Sequence, residues 1–123
     1  RSLAEAGIRP VAGAADLHAA REAAARVEVA PAVMAYLVDI CRATRTSPAV
    51  RLGVSPRGAT ALLRTSRVWA FLQGRGFVTP DDVKTMAPST LAHRLGLRAE
   101  ANLEGITAVN VISGVLAATP VPR

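Results

Sequence analysis

The chain has 123 residues, a formal charge of +6 and a half-apolar composition that is only 3% aromatic. That length suits one domain with a modest core. It excludes several classes at once: no apolar run reaches the roughly 18 residues of a membrane span, and the lone Cys41 forbids an internal disulfide. His18 and His93 are too isolated for a zinc site. The first residues lack the charged-then-apolar pattern of a signal peptide, so a cytoplasmic location is the default expectation. The basic charge is concentrated. Between Arg42 and Arg75 lie seven arginines and no acid, whereas the remainder holds eight basic and nine acidic residues. One central basic field calls for an anionic partner: nucleic acid, nucleotide phosphate or an acidic protein surface.

Residues 1–13 carry Gly7, Pro10 and Gly13 without a lasting period and read as a connector; a helical domain over 14–123 follows. A first helix is predicted from Ala14 to Val27, with Leu17, Ala20, Ala24 and Val27 inward and a Glu22–Arg26 pair on the solvent side. Val27-Glu28-Val29 is a short extended joint. A second helix, Pro31 to Thr44, points Val33, Leu37, Ile40, Cys41 and Thr44 inward and leaves Asp39, Arg42 and Arg45 to water. Cys41 on that stripe reads as a buried, inert thiol and not as a nucleophile paired with His93. Ser47-Pro48 stops the helix, and a basic loop leads to Ser55.

The third helix, Pro56 to Gln73, has Ala59, Leu62, Leu63, Ser66, Trp69 and Ala70 at core spacing, with Leu72 widening the face; Gly74 and Gly76 end it. Leu63 on this stripe is expected to cost about 2–5 kcal/mol on truncation to alanine. Thr79-Pro80-Asp81-Asp82 opens a fourth helix, with Thr79 capping and both acids in the first turn, better explained by the macrodipole than as metal ligands. Pro88 is expected to divide that segment, which continues to His93 or Arg94. Leu95 to Arg98 is expected to pair with Phe77-Val78 as a small ribbon. A last helix, Thr107 to Ala117, turns Ala108, Val111, Ile112, Val115 and Leu116 inward.

Chemistry concentrates at Ser55-Pro56-Arg57. Ser55 can cap the third helix, Pro56 fits its first position, and Arg57 is thereby held beside unpaired backbone donors at the positive end of the macrodipole. A cation there is unfavourable unless an anion visits, which points to phosphate or carboxylate. A solvated surface arginine is the plainer alternative. The chain shows no hydrolytic machinery: the only lysine, Lys84, follows Val83 on a helix, so there is no P-loop, and no paired acids end a strand to hold magnesium.

The ordered set Ala43-Thr44-Arg45, Leu52-Gly53-Val54-Ser55-Pro56-Arg57, Gly74-Arg75, Val78-Thr79-Pro80-Asp81-Asp82-Val83 and His93-Arg94-Leu95 resembles the C-terminal lid domain of MoxR-type AAA+ ATPases over residues 8–123. Val54 and Gly58 stand where that family usually has alanine, and Gly96 where a larger apolar residue is common. The resemblance implies an all-α bundle of four to five helices with a small β-ribbon. It also implies an ATP-binding core N-terminal to this segment, which would hold ATP and magnesium, and a second-sensor role for Arg57 toward the nucleotide phosphates. Ser55 and Pro56 then position Arg57, no residue is catalytic in isolation, and no metal site is expected here. The implied parent is a hexamer-forming, chaperone-like remodeller acting on clients with von Willebrand-type domains. Arg64 reads as solvated, and Arg67 and Arg94 have no assigned role. A nucleic-acid-binding module and a plain protein-interaction bundle are the rival readings; the basic stretch lacks interleaved aromatics, which counts against the first.

Overall fold

The computed structural model describes residues 1–123 and is a helical bundle carrying one small β-ribbon. In chain order the elements are α1 (Ala14–Ala25), α2 (Pro31–Thr46), β1 (Val50–Leu52), α3 (Pro56–Leu72), α4 (Pro80–Leu91), a 3-10 turn (Ala92–Arg94), β2 (Gly96–Leu97), α5 (Ala99–Leu103) and α6 (Ala108–Ala118). Residues 1–13 contribute no helix or strand and are exposed.

The core is built around α3 and α4. Gly58, Leu62, Ser66 and Ala70 recur every four residues and form the buried seam of α3. Three of the four are small, so the facing stripe of α4 can approach closely. That stripe is Val83, Ala87 and Leu91, all fully buried. Leu63 and Trp69 lie at the margin, half-buried, and Leu72 is 66% exposed. The buried face of α3 is therefore narrower than its apolar pattern, and Leu62, not Leu63, is the leucine sealed inside. From α2, Val33, Leu37, Ile40, Cys41 and Thr44 pack inward as their spacing requires, joined by Tyr36. From α6 come Val111, Ile112 and Val115.

Four local expectations are corrected. First, α4 runs unbroken through Pro88. Proline removes one N–H and clashes with the preceding turn, a cost of about 3 kcal/mol, but Val83, Ala87 and Leu91 anchor the helix on both sides of it. Second, the ribbon pairs β2 antiparallel with β1, Val50 opposite Leu97 and Leu52 opposite Gly96. Phe77-Val78 instead joins the joint after α1: Glu28 N–H donates to Gly76 O and Val78 N–H donates to Glu28 O, each at 2.9 Å. The sequence contains four short extended pieces, and only the packing of the helices brings particular pairs together. Third, Leu17 is 55% exposed, so α1 buries only Ala24, with Val27 just beyond its end. Fourth, Glu22 meets His18 at 3.2 Å, one turn before it, and not Arg26. The short α5 has no signature in the sequence, because five residues carry no readable period.

The cap of α4 is as its sequence requires. Thr79 Oγ1 accepts from Asp82 N–H at 3.3 Å, while the Asp82 carboxylate accepts from Thr79 N–H at 2.7 Å. Asp82 also receives the Arg75 guanidinium in a bidentate pair, Nη1 donating at 2.6 Å. Burial pushes the Asp82 carboxyl up, but the Arg75 fork and the Thr79 donors more than offset it, leaving it below the usual carboxylate range.

Candidate phosphate-facing site at the start of α3

The turn between β1 and α3 is fixed from below by the end of α2. Thr44 Oγ1 donates to Cys41 O at 2.6 Å and accepts from Val54 N–H at 3.0 Å. Arg45 Nε donates to Val54 O at 3.1 Å. Both backbone groups of Val54 are thus held by two consecutive residues of one helix. Gly53 makes this approach possible: a Cβ there would lie 2.5 Å from Arg45 Cγ and within 2.9 Å of its backbone nitrogen. Any side chain would push the loop off α2.

Ser55 and Pro56 sit where the sequence places them. Ser55 is the N-cap, its side chain accepting from Gly58 N–H at 3.3 Å, and Pro56 is the first helical residue. Ala59 N–H is taken by Ser55 O, and Pro56 has no N–H, so the Arg57 N–H is left without an intramolecular acceptor. Arg57 follows, exposed.

Arg57 lines an open groove of about 470 Å³ together with Thr60, Ala61, Arg64 and Arg94. No carboxylate borders it. The two ion pairs of the fold, His18–Glu22 and Arg75–Asp82, involve none of its arginines. The groove therefore presents guanidinium forks without a fixed counter-charge, suited to anion oxygens and unsuited to a metal ion. Arg64 is exposed, as expected, yet it borders this groove.

The rest of the basic field is largely structural. Arg67 Nε donates to Val27 O at 3.1 Å, tying α3 to the end of α1, and Arg75 is committed to Asp82. With Arg45 on Val54 O, three of the seven central arginines hold the fold together. Sequence reasoning missed the clamp of Thr44 and Arg45 and the presence of Arg94 at the groove. The first is a contact between residues about ten apart, and the second one between residues more than thirty apart; helical spacing reports neither.

Comparison with known proteins is decisive for the family. The family model for the AAA lid domain matches residues 42–115. The chain belongs to the AAA lid domain family. It is 37% identical over 115 residues to a Bacillus subtilis protein named YeaC and described as uncharacterized, covering 94% of this chain and 36% of that one. It is 32% identical over 117 residues to the protein named Chaperone MoxR1 of Mycobacterium tuberculosis, covering 88% and 31%. A solved structure described as a candidate ATPase from Cytophaga hutchinsonii superposes with a TM-score of 0.78 at 26% identity, covering 83% of this chain and 34% of that one. This lid is of the MoxR type, and it spans about a third of the length of the relatives it matches. No helix of the lid is long and apolar enough to cross a membrane.

Proposed function

We propose that this lid closes over a nucleoside triphosphate held by an ATPase core and that Arg57 binds its phosphates. The observation that carries the reading is geometric. Arg57 stands beside a free N–H in the first turn of a capped helix, on a groove bordered by arginines and no acid. Phosphoryl transfer spreads negative charge over phosphate oxygens, and a positioned arginine stabilises that charge by about 10³-fold or more in rate. The core would supply the P-loop and the magnesium ligands, since this lid has neither. In this reading the parent is a homo-oligomeric, hexameric remodeller. The lid transmits nucleotide state to neighbouring subunits and to protein clients, including ones with von Willebrand-type domains. The name Chaperone MoxR1 carried by a relative supports the remodelling part.

A nucleic-acid interface fits less well, because Arg45, Arg67 and Arg75 are each engaged by hydrogen bonds within the fold and Trp69 is half-buried. The test is hydrogen exchange on the lid joined to its core. A non-hydrolysable triphosphate should slow exchange over residues 53–61 and a diphosphate should do less. Unchanged exchange there with nucleotide bound contradicts the proposal. A steeply salt-dependent DNA affinity would favour the rival.

A further inference from the structure

We infer that Arg94 is a second phosphate-binding residue of the groove, engaging the same polyphosphate as Arg57; the inference rests on the reading of Arg57 above. Arg94 closes the 3-10 turn that follows α4. Its Nε donates to Thr90 O at 3.0 Å, which spends one N–H of the guanidinium and sets the direction of the fork. No other protein acceptor takes its remaining donors, and no carboxylate pairs with it. Its aliphatic stem passes over Gly58, where a Cβ would lie 3.5 Å from Arg94 Cδ. Gly58 is the residue after Arg57, so the two arginines are mounted on the same turn, one through the chain and the other through packing.

Among the exposed arginines of the basic field, Arg45 is tethered too, through Nε to Val54 O, but it does not line the Arg57 groove. Arg42 and Arg51 do not line the 470 Å³ groove that holds Arg57. Arg64 borders the Arg57 groove and two neighbouring ones, so its position does not commit it to this ligand. Arg94 is tethered and lines the Arg57 groove. Like charges held together repel, and an anion that reaches both relieves that cost. A chain of phosphates offers oxygens on successive phosphorus atoms, so two separate forks can be filled by one molecule. The ligand class is therefore a polyphosphate.

Inorganic tripolyphosphate titrated into the isotopically labelled chain at low salt, with the arginine Nε–H resonances observed, tests this. The resonances of Arg57 and Arg94 should move with one shared midpoint, at lower concentration than those of Arg42 and Arg51. Arg94→Ala should weaken the Arg57 midpoint about three- to tenfold, the worth of a charge-assisted hydrogen bond at a wet site. Arg94→Lys should recover only part of that loss, since an ammonium lacks the fork. Movement of Arg57 with Arg94 silent, or an Arg57 midpoint unchanged in folded Arg94→Ala, overturns the inference and leaves Arg57 standing. Movement of Arg94 with Arg57 silent overturns both readings. Uniform movement of all arginines also overturns both, because it reports net charge alone.

Discussion

Val54 and Gly58 meet at the start of α3, where their side-chain positions form one feature. A Cβ on residue 58 would lie 2.5 Å from Val54 Cγ1, more than 1 Å inside optimal carbon–carbon separation. Val54 cannot retreat: it is fully buried and both its backbone groups are hydrogen-bonded to α2. Gly58→Ala should therefore incur overpacking of about 1–3 kcal/mol. Alanine's helix preference over glycine returns at most about 1 kcal/mol, so with that return in full the net loss is about 0–2 kcal/mol. Val54→Ala alone should cost about 2–3 kcal/mol, from two buried methyl groups at about 0.8 kcal/mol each plus the cavity. In that background the residue-58 methyl group meets nothing of the residue-54 side chain but its Cβ, at 3.8 Å, so Gly58→Ala should be neutral or stabilising. Urea denaturation of the four proteins measures the cycle; the helix preference cancels between backgrounds, so the expected coupling is the overpacking cost itself, about 1–3 kcal/mol. If Gly58→Ala has the same effect in both backgrounds to within about 0.5 kcal/mol, the two side-chain positions do not compete for one space.

Leu62→Ala should cost about 2–5 kcal/mol, whereas Leu63→Ala should cost less, because only Leu62 is fully buried; equal losses by urea denaturation would contradict the narrow seam. Asp82 has a lowered folded-state pKa, so its contribution is present above the unfolded value of about 3.9 and disappears as pH falls through the folded one. Stability measured between about pH 5 and pH 2 should fall with acid, and Asp82→Asn should flatten that slope. Burial pushes the Cys41 thiol up to about 11, against a smaller opposing pull from Arg45. At pH 8 it should react with a thiol reagent only as fast as the protein unfolds; immediate labelling of native protein would contradict its place in the core.

The helices were legible because their signals are local. Ser55-Pro56 and Thr79-Pro80-Asp81-Asp82 are caps spelled out within four residues, and the α2 stripe from Val33 to Thr44 is buried as its period demands. What failed was non-local. Pro88 breaks a helix in isolation but not one pinned by Val83, Ala87 and Leu91. Leu95 to Arg98 has the character of a ribbon strand in the sequence, yet its partner is Val50–Leu52, which only the return of the chain past α2 makes available. Leu17 and Leu72 have core spacing but face outward, since an apolar period states which residues share a face and not how much of it is covered. At the site, Arg57 was legible from its helix start, whereas Arg94 reaches it through the packing of α4 on α3.

The central claim is that Arg57 meets the phosphates of a bound nucleotide. Steady-state ATP turnover by the lid joined to its core, with Arg57→Ala, Arg57→Lys and Arg42→Ala compared, tests it most directly. Arg57→Ala should lower turnover by orders of magnitude, toward the roughly 10³-fold that such a contact can supply, and Arg57→Lys should remain impaired for want of the planar fork. Arg42→Ala, exposed and outside the groove, should leave turnover unchanged. A folded Arg57→Ala protein that turns over ATP at the unmutated rate contradicts the claim.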